Sequence, residues 1–270
     1  MRTLFVSLPI FLFFLVGCSN RALNHSTSLS VQDRKIIDTI HQSASGHPPG
    51  PIYLSHRQLD FNEISNHLNM DEETTKKHLE ATSIHGYYHL IAKNYPPDTE
   101  FTLYQVNMDE EITPIKYYTS TGTGDLFTRL DDTFVKIANN FLFFCNYLPG
   151  EPIDFVLASK NRRYHAATRI VPNPIEITDY KNHRISLEIA SKGKREYLVH
   201  CYGLTSHGSY LLTTRFENER LAHTVEANEW GEIHQTAGPT IPWIASGNGF
   251  IELRGDNIDR SITLDFSWEI

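Results

Sequence analysis

Fourteen of the 270 residues are histidine. Imidazole is the commonest metal ligand and the commonest general base, so histidine spacing is where chemistry would show first. His85 and His89 lie four apart, which on a helix would set two ring nitrogens on one face. Both fall at the start of a β-like run, where such residues share a face but stand too far apart for one ion. His200 and His207 flank a turn, and His223 and His234 lie beyond it, with no Cys, Asp or Glu at ligand spacing beside them. They read as surface or core histidines. Asp131-Asp132 and Asp256-x-x-Asp259 fall short of the six or more oxygens a calcium site needs and read as solvated turns. Trp230, Trp243 and Trp268 are expected in the core rather than on a ligand platform. His-Glu-x-x-His, Gly-x-Ser-x-Gly, Walker and Cys-x-x-Cys patterns do not occur. No catalytic residue, metal site or cofactor is expected.

Cys18 is the exception. It closes Leu15-Val16-Gly17-Cys18, behind the apolar run Leu4–Val16, which is opened by the lone cation Arg2 and contains one polar residue, Ser7. Thirteen residues are too few to span a bilayer, which takes about 20. A basic end, a short apolar core and a small-residue exit are the parts of a secretory signal. The run resembles the lipobox of bacterial lipoproteins, matched at Leu15, Gly17 and Cys18. That resemblance implies cleavage after residue 17, a lipid on Cys18 and a place in the cell envelope. Ser19 rather than Asp after the cysteine implies the outer membrane.

Without residues 1–17 the chain keeps 23 basic against 32 acidic side chains. Nucleic acid and anionic membrane surfaces reward clustered cations, so neither is an expected partner. Two further cysteines, Cys145 and Cys201, sit inside apolar runs assigned to different halves. A disulfide needs Cα atoms within about 7 Å, so free thiols are expected.

The positioning elements follow in chain order. Residues 18–51 read as a tether that lifts the body off the membrane, ending in the helix-breaking Gly46-His47-Pro48-Pro49-Gly50-Pro51. Val31, Ile36, Ile37 and Ile40 allow a short helix within it. Residues 52–82 are either a short, partly helical segment or the start of the body. Asp60 and Glu63 have capping-box spacing, and Ile64 and Leu68 continue one helical face.

From about residue 84 the pattern becomes all-β: short runs rich in aromatic and β-branched residues, divided by turn residues. The expected strands are Tyr87–Asn94, Phe101–Asn107, Ile112–Thr119, Phe141–Leu148, Ile153–Ser159, His165–Val171, Ile185–Ala190, Tyr197–Leu204, Tyr210–Phe216, Leu221–Ala227, Phe250–Arg254 and Ser261–Trp268. Phe141–Tyr147, apolar on both faces, reads as a central strand.

The halves echo one another at an offset of 109. Tyr95–Leu103 falls on Leu204–Leu212, Glu110–Ile112 on Glu219–Leu221, and Asn139–Leu142 on Asn248–Ile251. Repeats of this length are the size of an immunoglobulin-type domain. Asn94–Leu103 resembles the turn that opens a late strand in fibronectin type III domains, with Phe101 where that family prefers tyrosine. Phe144–Leu157, through its Leu-Pro-Gly-Glu-Pro turn, resembles bacterial immunoglobulin-like repeats. These resemblances imply a mainly β chain: a first immunoglobulin-like β-sandwich over 83–175 and a second over 176–270. Phe141 and Phe250 are expected at equivalent core positions.

Two function classes follow. The first is a non-enzymatic envelope lipoprotein whose sandwiches bind another envelope protein, a surface ligand or a neighbouring copy, through end loops or an exposed edge strand. The alternative is an envelope hydrolase acting on glycan or peptide, with a site assembled by the fold. They part on whether titratable groups converge in a cleft with shifted pKa values.

Overall fold

The computed structural model describes residues 31–44, 52–82, 84–130, 133–137, 141–191, 196–238, 246–255, 258 and 261–269. The Leu15–Cys18 run, Asp131-Asp132, Asp256, Asp259 and Trp243 lie outside them, as do the side chains of Phe141 and Trp268. The chain is mainly β, built from antiparallel sheets packed face to face.

The first sandwich faces a three-stranded sheet with a six-stranded one. Strands β1 (Tyr53–Gln58), β2 (Ile84–Lys93) and β7 (Phe141–Cys145) are joined in the order β1-β2-β7. Strands β3 (Glu100–Val106), β4 (Ile112–Ser120), β5 (Leu126–Leu130), β6 (Thr133–Lys136), β8 (Ile153–Ser159) and β9 (His165–Ile170) run β6-β5-β4-β3-β8-β9. Leu54, Tyr88, Leu90 and Phe144 from one sheet meet Phe101, Leu103, Phe155, Leu157 and Ile170 from the other.

The second sandwich packs the sheet β10-β11-β12-β15 on β14-β13-β16-β17. Its strands are β10 (Ile175–Thr178), β11 (Arg184–Ser191), β12 (Glu196–Tyr202), β13 (Ser209–Phe216), β14 (Glu219–Glu226), β15 (Ile233–Ala237), β16 (Ser246–Gly255) and β17 (Ile262–Glu269). Its core joins Ile185, Leu187 and Val199 to Tyr210, Leu212, Ile251 and Leu253. Residues 171–174 connect the two sandwiches, which among the described residues share no sheet.

With β5, β6 and β10 set aside, the two sandwiches have one topology. The first, second and fifth strands form one sheet; the fourth, third, sixth and seventh form the other. This is an immunoglobulin-like arrangement. Under the offset of 109, Tyr88, Leu90, Phe101 and Leu103 fall on Tyr197, Val199, Tyr210 and Leu212, and all eight are buried. Ladder registers drop the offset to 96 for β8 against β16, because β5 and β6 lengthen the first copy. The pairing of Phe141 with Phe250 is therefore wrong: β7 corresponds to β15 and β16 to β8. Phe250 is only half-buried, with the Arg215 guanidinium 5.8 Å from its ring centre. Asn94–Phe101 likewise leads into the third strand, not a late one.

Two further expectations change. β7 is an edge strand, and its second apolar face is covered by helices α2 (Phe61–Leu68) and α3 (Glu72–Thr82). There Phe143 packs with Tyr87, Leu59, Ile64 and Leu68. Asp60 and Glu63 close the capping box that starts α2. The tether is, over Val31–Ala44, helix α1 docked on the body. Ile36, Ile37 and Ile40 bury against Val106, Val156, Ala158 and Ala167, so β8 is covered on both faces. Buried Thr39 satisfies its hydroxyl on the Lys35 carbonyl at 2.7 Å. Three isoleucines on one face lose too much on exposure to water for this helix to hang free. Cys145 and Cys201 are buried in different sandwiches and are not joined by a disulfide, and burial pushes the Cys201 thiol up to about 12.

Candidate functional site

The joint between the sandwiches is polar and interlocked. Asp154 and Arg169 face each other across the β8–β9 ladder. The guanidinium donates to both Asp154 carboxylate oxygens, at 2.9 and 2.8 Å, and reaches across to Glu188 Oε1 of β11 at 2.6 Å. Burial alone would lower the Arg169 pKa; the two carboxylates outweigh it and the net shift is upward. Glu188 is raised, by burial first and then by Asp154, with Arg169 opposing. A second lock is backbone. The Ile189 N–H donates to the Gly150 carbonyl at 2.8 Å, and the Gly150 N–H to that of Asn173 at 2.7 Å. The Leu-Pro-Gly-Glu-Pro turn therefore wedges between the sandwiches.

Beside Arg169 opens a cleft of about 460 Å3. His56, Arg57 and Tyr88 of the first sandwich line one wall. Arg184, Glu188, His200 and Tyr202 of the second line the other. His200 and His234 are register partners on β12 and β15, with their Nδ1 atoms 2.7 Å apart. Glu232 Oε2 lies 3.1 Å from His234 Nε2, and Glu188 Oε2 lies 3.8 Å from His200 Nε2. Burial first, then His234, Arg169 and Arg184, holds His200 down at about 4. His85 and His89 share β2 but join no metal-ligand group. Among the described residues no three His, Cys, Asp or Glu side chains are grouped to hold an ion. The reading that no acidic residue stands by His234 is corrected by Glu232; residues two apart in extended chain share a face.

The free end of the second sandwich differs from the joint. Two turns there have one hydrogen-bond scheme. Asp179 Oδ1 accepts from the Lys181 and His183 amides, and Asn228 Oδ1 from those of Trp230 and Glu232. Such Asx turns hold a tip in one shape. A Cβ on Gly203 would stand 2.6 Å from the Asn182 carbonyl oxygen, and one on Gly231 would strike that of Leu204. Only glycine lets the turns and the loop between them pack this closely. On the two fixed tips stand Tyr180, 78% exposed, and Trp230, 72% exposed. Trp230 thus overturns the expectation of a core tryptophan.

The fold defines a tandem β-sandwich chain. No family model matches it, and no curated protein resembles it in sequence. Among solved structures it is similar to a tetra-tandem repeat in the extending region of a large adhesion protein, at 11% identity and a TM-score of 0.25. The alignment covers 80% of this chain and 48% of that one, so this chain spans about half the length of its structural neighbour. At that score no argument rests on the likeness. Among the described residues no helix is long and apolar enough to cross a membrane.

Proposed function

We propose that the chain is a lipid-anchored envelope protein that binds a partner protein through the free end of its second sandwich. The observation carrying this is the pair of exposed aromatics, Tyr180 and Trp230, on turns fixed by side-chain hydrogen bonds. Tyrosine and tryptophan dominate binding energy at interfaces, and rigid presentation lowers the entropy lost on association. Each large aromatic left in water forgoes stabilisation that its burial would give.

The anchor in this proposal is a lipid on Cys18, most consistent with the outer membrane, and no catalysis is assigned. Photo-crosslinking from positions 180 and 230 in intact envelopes tests the binding surface. Cys18→Ser tests the anchor: the protein should leave the membrane fraction, and unchanged membrane association would reject that part of the proposal.

The alternative, hydrolysis in the interdomain cleft, is favoured by the raised Glu188 beside the lowered His200. Shifted groups of this kind gather at catalytic sites. Arg169, however, already occupies Glu188, so the pair reads better as part of the joint.

A further inference from the structure

The cleft beside Arg169 has matched charges and unmatched neutral groups. Each guanidinium on its walls already faces a carboxylate. Arg57 holds Glu63 at 2.6 and 2.8 Å, Arg169 holds Asp154 and Glu188, and Arg184 lies 3.6 Å from Glu176. A phosphate would have to displace one of those carboxylates, and an amine one of those guanidinium groups. Either exchange trades one charge-assisted contact for another of the same kind. The histidines are engaged too, His56 Nδ1 with the Thr168 hydroxyl at 2.9 Å and His200 Nδ1 with that of His234. The neutral groups differ. Among the described residues, the hydroxyls of Tyr88, Ser186 and Tyr202 and the Gln58 amide line the cleft with no hydrogen bond to protein. None of them is sealed in the interior, so a ligand reaches them as solvent does.

We propose that this cleft binds an uncharged saccharide, held by Gln58 and Tyr88 on one wall and by Ser186 and Tyr202 on the other. The register sets each pair side by side. Gln58 and Tyr88 are direct partners across β1 and β2. Ser186 is opposite His200, and Tyr202 is opposite Arg184, which makes Ser186 and Tyr202 diagonal neighbours on β11 and β12. Hydroxyl and amide groups both donate and accept, as every sugar hydroxyl does. Burial, then Glu176, pushes Tyr88 up to about 12, so its hydroxyl keeps its proton. Sugar hydroxyls replace water at these four groups without breaking a contact within the protein. At about 460 Å3 the cleft has the size of a small-molecule site, and such sites favour domain interfaces. The Arg169–Glu188 contact and the Ile189–Gly150 backbone bond hold its two walls together. Walls fixed in advance lower the cost of ordering on binding. The site is independent of the loop-end reading.

The test is a nitrogen–proton correlation titration of the mature chain with glucose, galactose, mannose, N-acetylglucosamine, maltose and cellobiose. Inorganic phosphate and putrescine are the charged arms. At least one sugar is expected to move the amide signals of Gln58, Tyr88, Ser186 and Tyr202 together, and neither charged probe to do so. Tyr88→Phe and Ser186→Ala each remove one unpartnered hydroxyl. Each should weaken that sugar roughly 2–12-fold, the effect of one hydrogen bond, with Tm unchanged. His207→Ala, outside the cleft, should bind as wild type does. If Tyr88→Phe disturbs the core, Ser186→Ala carries the test alone. The proposal is overturned if no sugar moves these signals, if phosphate or putrescine moves them as strongly, or if the shifts gather at Tyr180 and Trp230 instead. Undiminished binding in a folded Ser186→Ala chain overturns it as well.

Discussion

Arg169 of the first sandwich donates to Glu188 of the second at 2.6 Å, while its other face is held bidentate by Asp154. One guanidinium thus neutralises two largely buried carboxylates, one in each sandwich. Removing it strands both. Breaking a buried pair costs about 3–5 kcal/mol. With Arg169 about a third exposed, screening reduces this to on the order of 2–3 kcal/mol. Urea unfolding of Arg169→Met should show that loss. Arg169→Lys should not restore it, because an ammonium cannot replace the fork. Wild-type stability in either variant would mean the clasp is idle.

Helix α1 should be part of the folded body. Ile36 and Ile40 are 1% and 5% exposed. Ile36→Ala should therefore cost about 2–4 kcal/mol, read by denaturant unfolding, with Ile40→Ala close behind. A spacer helix would tolerate both without measurable change.

Leu103 and Leu212 sit at equivalent positions in the two cores, 1% and 0% exposed. Leu→Ala at such a site costs about 2.7–5 kcal/mol. In hydrogen exchange, Leu212→Ala should lose protection in β11 to β17 while β2 to β8 keep theirs, and Leu103→Ala should do the reverse. Uniform loss from either substitution would mean that the sandwiches unfold as one unit.

The start of α2 should respond to acid. Hydrogen bonds from Arg57, then from the Asp60 amide, hold Glu63 down at about 2, below its usual 4.5. A lowered carboxyl stabilises the fold above its unfolded pKa and loses that contribution as pH falls through the folded one. Exchange protection of the α2 amides should therefore decline between about pH 4.5 and pH 2. In Glu63→Gln it should be low throughout and flat with pH. A variant keeping the wild-type slope would place the acid response elsewhere.

The strands that line both cores were legible because each carries large apolar residues at alternate positions, as Phe101-x-Leu103 and Tyr210-x-Leu212 do. β1, β5, β6, β10 and β15 were not. All but β5 lie at a sheet edge, and sequences such as Tyr53–Gln58 and Ile233–Ala237, with few buried residues, look polar. The echo at 109 holds only for β2 and β3; a bulge at Leu103/Tyr104 puts β4 out of step with β14, Tyr118 facing Phe101 where Val225 faces Tyr210. Phe141–Cys145 looked central because neighbouring helices cover its second face, and a strand's own sequence does not show what covers it. The joint was invisible for a related reason. Arg169 and Glu188 are nineteen residues apart, and His200 and His234 thirty-four. Only the strand order brings each pair together. The Asp179 turn could be read, yet nothing local showed that it would stand beside the Asn228 turn.

The measurement bearing most directly on the central claim is crosslinking in intact envelopes from a photoreactive residue at position 180 or 230. Position 221 serves as control, since Leu221 is 62% exposed on strand β14 of the opposite sheet. A discrete protein adduct is expected from 180 and from 230 and none from 221. Adding Trp230→Ala to the position-180 probe should reduce that adduct at least tenfold, the effect of about 1.4 kcal/mol at an aromatic anchor. Equal adducts from all three positions, or an adduct from 180 that survives Trp230→Ala undiminished, would contradict the account.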